Sequence, residues 1–331
     1  MGLRVWYDAC TGKHVRYGAA ITERLKKRKN CEVIFTLREH PDTIPLARHL
    51  GLKFEVIGKY DPTSKFTRLY EGLRRQLKFC EMFGDNPPDV AISHTSVDLC
   101  RVAFGLGVPV ILTFDTPHGV AQSRLTVPLS DIVVASRAIP EDCLRKYGAR
   151  KIRFFEGVDE IAWMKNFKPV VKYDYGRPLI VVRQVEIKAA YAEGMVDVTE
   201  KIAEKLTSLG KVVFLSRYER KPRKNLIVPE HFVDSASLAA QADLVVSVGG
   251  TIAREAALAG TPSIIIKVFS GMHVNEYLAN RGFPIFLVKP ENVLEYAKSL
   301  IGRRLDVKHL LSELENPVDV IEKLIDEVPC K

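Results

Sequence analysis

Short apolar runs alternate along the whole chain with stretches of helical periodicity, and this alternation limits the fold more than any other feature. In the first half the runs fall at 3–8 (LRVWYD), 31–37 (CEVIFTL), 52–57, 89–93 (DVAIS), 108–114 (VPVILTF), 131–135 (DIVVA) and 151–155. Helical patterns lie between them, for example at 14–29 and 65–83. Runs of β-branched and apolar residues with little in–out alternation belong to strands buried on both faces, as in parallel sheets covered by helices. The pattern breaks around 165–177, in KNFKPVVKYDYGRP, where two Pro, a Gly and several charges mark a linker. It then restarts at 178–183 (PLIVVR), 211–216 (KVVFLS), 243–248 (DLVVSV), 262–268 (PSIIIKV) and 283–288 (FPIFLV), with helical stretches at 290–302 and 317–327. The expectation is an α/β protein of two doubly wound Rossmann-like domains facing a cleft, at 1–167 and 168–331, the last helix being free to cross back.

Composition narrows the partners. A chain of 331 residues with 47% hydrophobic content can build a core in each half. A net charge of +9 favours an anionic partner. The six cysteines (10, 31, 80, 100, 143, 330) form no C-x-x-C, which argues against a metal or disulfide framework and for a reducing, cytoplasmic setting. The opening MGLRVWYDAC reads as a strand and not as a signal peptide, and no apolar run approaches the roughly 18 residues of a membrane span.

The stretch VVSVGGTIAREAALAGTPSI (245–264) carries the most chemistry. In an open α/β sheet, ligands bind at the carboxyl ends of strands. Gly249 and Gly250 follow such a strand and open a helix, whose first N–H groups and positive dipole end suit a diphosphate. Thr251 can cap the helix or bond a phosphate oxygen. Glu255, about a turn further on, is placed to accept hydrogen bonds from ribose hydroxyls.

SVGGTIAREAALAGTPSIII resembles the donor-site motif of the GT-B superfamily, which includes nucleotide-sugar glycosyltransferases and the non-hydrolysing UDP-N-acetylglucosamine 2-epimerase. The resemblance implies that Gly249, Gly250 and Thr251 hold a nucleotide diphosphate and that Glu255 binds ribose. HVNEYLANRGFPIFL (273–287) resembles a further superfamily element and implies Asn275 near the donor sugar or phosphate. Over its whole length the chain is similar to an archaeal family with GT-B-like sequence and no assigned function, on the stretches 94–136, 178–192 and the Gly-Gly motif.

Other polar residues also follow predicted strands. Arg183 and Lys188, in RQVEIKAAY, can neutralise a diphosphate leaving group in place of a metal. No Asp-x-Asp occurs, so no metal site of that kind is expected. In the first half, DACTGKHV (8–15) offers Lys13 for an acceptor phosphate and His14 as a neutral general base. His94, with Thr95 and Ser96, follows one strand; Asp115 and His118, a candidate base and orienter, follow another, with Arg124 beyond as a further anion contact. The acidic pattern of the epimerase is not evident, which leaves sugar transfer ahead.

The expected function is therefore sugar transfer from a nucleotide-diphosphate donor, UDP-linked on the resemblance, with the nucleotide sugar as substrate and no separate cofactor. The alternatives are a nucleotide-sugar 2-epimerase and a noncatalytic nucleotide- or nucleic-acid-binding protein. No nucleic-acid motif or aromatic stacking strip supports the last. The acceptor is open, lipid-linked ones included. Residues 65–83 mix basic and apolar positions suited to peripheral contact with an anionic membrane.

Overall fold

The computed structural model describes residues 2–28, 30–187, 196–268 and 270–328. The chain divides into two compact units, Met1–Trp163 with Glu315–Lys331, and Met164–Leu314.

The first unit is built on seven strands: β1 (Leu3–Ala9), β2 (Cys31–Glu39), β3 (Glu55–Lys59), β4 (Val90–His94), β5 (Val110–Phe114), β6 (Ile132–Ser136) and β7 (Lys151–Phe155). Their order is β3-β2-β1-β4-β5-β6-β7, and every pairing is parallel. Every residue of β4, β5 and β6 is buried, which explains their unbroken apolar sequences. The third run, expected at 52–57, pairs later along the chain, because β3 is an edge strand whose register is set by β2 alone, through Thr36↔Glu55 and Leu37↔Val56.

Two helices brace this sheet in ways that matter for the site. Helix Lys65–Phe83 buries Phe79 and Phe83 against Trp6, with ring centroids 4.7 and 4.5 Å apart. The same helix sends Arg75 into the core, where it bonds Asp8 of β1 (3.0 Å), Asp98 (3.0 Å) and the Ile57 carbonyl (2.7 Å). Asp8 is completed by Ser96 Oγ (2.6 Å) and Thr36 Oγ1 (2.8 Å). The second brace, helix Pro317–Glu327, joins the first unit beside helix Gly12–Leu25. It buries Val318, Ile321, Leu324 and Ile325, and Arg24 pairs with Asp319 and Glu322. Those ion pairs are partly exposed and contribute less than the apolar face.

The second unit has β8 (Leu179–Arg183), β9 (Lys211–Leu215), β10 (Leu244–Ser247), β11 (Ser263–Ile266) and β12 (Ile285–Val288), all parallel, in the order β12-β11-β10-β8-β9. Alternate residues feed two cores. Ile180, Val182, Phe214 and Val246 lie in one, and Val181, Val213 and Val245 in the other. The expected α/β class with two parallel sheets is what the chain forms.

Each sheet has one place where the chain reverses its direction of build: between β1 and β4 in the first, and between β8 and β10 in the second. Loops leaving neighbouring strands diverge there, so these are the points where open α/β sheets accept ligands. No helix among the described residues is long and apolar enough to cross a membrane.

Candidate active site

At the first reversal point, residues at or just beyond the carboxyl ends of four strands converge. Lys13, after β1, bonds Asp115 after β5 and Asp159 after β7, the latter at 2.8 Å, and lies 3.7 Å from Glu160. His94, the last residue of β4, places Nε2 3.2 Å from Asp115 Oδ1 and Nδ1 2.7 Å from Thr113 Oγ1. An ionised Asp115 only accepts, so His94 Nε2 carries the proton there and the Thr113 hydroxyl can bond Nδ1. Thr116 Oγ1 donates to the same Asp115 oxygen at 2.6 Å. Asp115 has 10% of its side chain exposed, against 2% for Asp159 and 0% for Glu160, so it is the most accessible of the three carboxylates. Thr95 takes φ 56°, a left-handed conformation uncommon for a β-branched residue. This turn follows His94, and within it the Ser96 N–H donates to Ser93 Oγ at 2.7 Å.

His94, Asp115 and Asp159 each offer a ligand atom within 4.8 Å of the others, a spacing compatible with a metal ion. Lys13 already bonds both carboxylates, so a divalent ion would have to displace its ammonium. Lys13 thereby neutralises acidic side chains instead of standing ready for an acceptor phosphate.

His14 has a different role from the one its sequence position suggests. Its Nδ1 accepts from the Cys10 N–H at 3.2 Å, and its ring stands edge-on to His94 with centroids 4.9 Å apart. Burial pushes its pKa well below the usual value, helped by His94, Arg38 and Lys13 and opposed by Asp115. With Nδ1 engaged, neutral His14 carries its proton on Nε2 and is a donor, not a base. His118 is exposed, and His94, Thr116 and Lys13 hold Asp115.

The depressed pKa of His14 makes acid stability a test. Above about pH 6.5 the imidazole is neutral in both folded and unfolded chains. Below it the unfolded chain binds a proton that the fold excludes, so stability falls as pH drops, by up to about 1.4 kcal/mol per pH unit. His14→Asn, which can keep the acceptor for Cys10, should flatten this slope in urea titrations between pH 6.5 and 5. Equal slopes in the two proteins would contradict the assignment.

In the second unit Gly249 is the N-cap of helix Gly250–Leu258, at the carboxyl end of β10. No side chain caps this helix, so Thr251 does not act as its cap. Arg183 ends β8 and pairs in register with Ser247 of β10. Lys188 lies outside the described residues. Glu255 is 1% exposed, and Ser235 Oγ donates to it at 3.4 Å, so a ribose could reach it only if the covering residues moved. Asn275 is also buried, and its Oδ1 accepts from Arg254 at 3.0 Å.

The two glycines have different reasons to be there. A Cβ on Gly250 would lie 2.0 Å from the Arg254 guanidinium, and its φ is not left-handed. A Cβ on Gly249 would meet nothing within 4 Å, and its φ of −78° suits any residue. Gly250→Val should therefore cost about 1–3 kcal/mol through overpacking against a buried, hydrogen-bonded arginine. Gly249→Val should cost no more than about 1 kcal/mol. Melting of the two variants checks this, and comparable losses would contradict it.

Three participants escaped the sequence reading. Asp159 and Glu160 follow the predicted strand 151–155, the same rule that picked out His94 and Asp115. Arg254 lies four residues after Gly250, hence on the same helix face, and that spacing was the available signal.

Two parallel sheets, each with its polar loops at a reversal point, give the chain a GT-B-like fold. Solved structures agree on the fold. The UDP-GlcNAc 2-epimerase of Neisseria meningitidis, bound to UDP-GlcNAc, matches with TM-score 0.73 and 15% identity, covering 98% of this chain and 100% of that one. The UDP-GlcNAc 2-epimerase of Methanocaldococcus jannaschii matches with TM-score 0.63 and 15% identity, over 99% and 100%. A spinosyn rhamnosyltransferase matches with TM-score 0.59 and 14% identity, over 97% and 100%. In sequence, an uncharacterized protein of Methanocaldococcus jannaschii is 30% identical over 338 residues, with 97% of each chain covered. The chain belongs to the DUF354 family, described as a protein of unknown function, whose model matches residues 3–329.

Proposed function

We propose that the chain acts on a sugar carried by a nucleoside diphosphate and that the reaction is glycosyl transfer. The observation that carries this reading is the most accessible carboxylate of the cluster, Asp115, held by His94, Thr116 and Lys13 at the first sheet's reversal point. Such a group can take the proton of an incoming hydroxyl as its oxygen bonds the anomeric carbon. The bond from that carbon to the diphosphate breaks in the same step. In the second unit, the helix start at Gly249 and Gly250 and the guanidinium of Arg254 supply positive potential suited to a diphosphate, with Arg183 on the adjacent strand. The nucleotide sugar is substrate, and the scheme needs no separate cofactor. A UDP-linked donor is supported by the similar structures named for UDP-GlcNAc enzymes.

A second reading, epimerisation at the sugar's C2, gains from Asp159 and Glu160. They add two acids that the sequence did not bring into view, and proton removal and return at carbon need more than one such group. Incubation with UDP-GlcNAc in deuterium oxide separates the two. Under transfer, UDP is released only when an acceptor alcohol is added, and C2 keeps its hydrogen. Under epimerisation, deuterium enters C2 with no acceptor present. If neither occurs and the nucleotide sugar does not raise the melting temperature, both readings fail.

A further inference from the structure

We propose that helix Lys65–Phe83 docks the protein on an anionic lipid surface. A surface helix ordinarily has one apolar stripe, which it turns to the core. This helix has two. Phe79 and Phe83 face inward, while Phe66, Leu69, Tyr70, Leu73 and Leu77 are 50–70% exposed. Their spacing of three, one, three and four residues puts all five on one face. From Phe66 to Leu77 the stripe runs about 17 Å at 1.5 Å per residue. Phe66 and Tyr70 stack, with centroids 5.8 Å apart. The helix start is fixed by a reciprocal cap between Ser64 and Thr67, with both bonds at 3.0 Å, so the stripe is presented on a well-formed element.

The charges beside the stripe choose the occupant. Of the exposed charged residues on the helix, Lys65, Arg74 and Lys78 are basic and only Glu81 is acidic. Lys59, 53% exposed on the neighbouring edge strand, adds a further cation. Within the helix itself the other carboxylate, Glu71, is buried between Lys59 (3.9 Å) and Arg74 (3.5 Å). An apolar face bordered by Lys and Arg, with an aromatic phenol at its edge, matches the boundary between acyl chains and anionic headgroups. A second copy of the chain fits less well. Pairing two such helices would bring basic borders together, and the stripe offers five residues where a stable interface uses roughly 20–30 a side. The proposal rests on no part of the nucleotide-sugar reading.

The test is co-sedimentation of the whole chain with vesicles of phosphatidylcholine alone and of phosphatidylcholine with phosphatidylglycerol, at low and high salt. Binding should require phosphatidylglycerol and weaken as salt rises. Leu73→Asp with Leu77→Asp, and separately Arg74→Gln with Lys78→Gln, should each lower the partition coefficient about tenfold or more. Circular dichroism melting of the variants should match wild type, since these side chains lie outside the core. Lack of binding to the anionic vesicles, or binding unchanged by the Leu73/Leu77 variant, overturns the proposal. So does a concentration-dependent dimer in sedimentation velocity that the same variant dissolves, because the occupant is then a second copy.

Discussion

Arg75→Met should lower the stability of the first unit by about 3–5 kcal/mol, the scale for stranding a buried charge. Arg75 is 1% exposed and Asp8 0%. Burial opposes the guanidinium's charge, but Asp8, Cys10 and Asp98 more than offset it, and its pKa is raised. Without Arg75, Asp8 would keep the hydroxyls of Ser96 and Thr36 as partners for its charge. Adding Asp8→Asn should recover part of the loss, because the buried charge is then gone. Urea unfolding of the wild type, both single variants and the double variant measures the coupling. A loss below about 1 kcal/mol for Arg75→Met would show that the pair does not hold the helix to β1.

Asp115→Asn should reduce turnover by about 10²–10⁴-fold, the usual contribution of a positioned proton-transfer group. The substitution keeps size and shape, and Asp159 and Glu160 remain to balance Lys13. The fold should therefore survive, and melting reports whether it does. His118→Ala should reduce turnover less than Asp115→Asn, since His118 is exposed while Asp115 is held by His94, Thr116 and Lys13. Turnover of Asp115→Asn within threefold of wild type would remove Asp115 from the chemistry. It would move the proton transfer to Asp159 or Glu160.

The strands were legible because a strand buried on both faces must be apolar at nearly every position. Each of the twelve strands among the described residues overlaps an apolar run seen in the sequence. The edge strand β3 was misplaced by a few residues because an exposed edge relaxes that demand. Of the two glycines in the turn, only Gly250 has a steric reason, since an added Cβ there would meet the Arg254 guanidinium. What could not be read was convergence. Lys13 meets Asp115 and Asp159 across 102 and 146 residues, and only the strand order brings those loops together. Residue type alone also misjudged His14. A histidine near a helix start looks like a base, but the Cys10 N–H fixes its tautomer as a donor. Arg254 was hidden by its setting within a helix, where a charged residue usually faces water. Here it is 6% exposed and bound to Asn275.

The central claim is that the turn at Gly249 and Gly250 holds a nucleoside diphosphate. Its most direct test is calorimetric titration of UDP and of UDP-GlcNAc into the wild type and Gly249→Val. Gly249 is exposed, and an added Cβ there would meet nothing within 4 Å, so the variant adds bulk at the turn with little cost to the fold. Binding of one nucleotide per chain in the wild type, lost in a variant that melts like it, is the predicted result. Absence of nucleotide binding in the wild type, or equal affinity in both proteins, would contradict the claim.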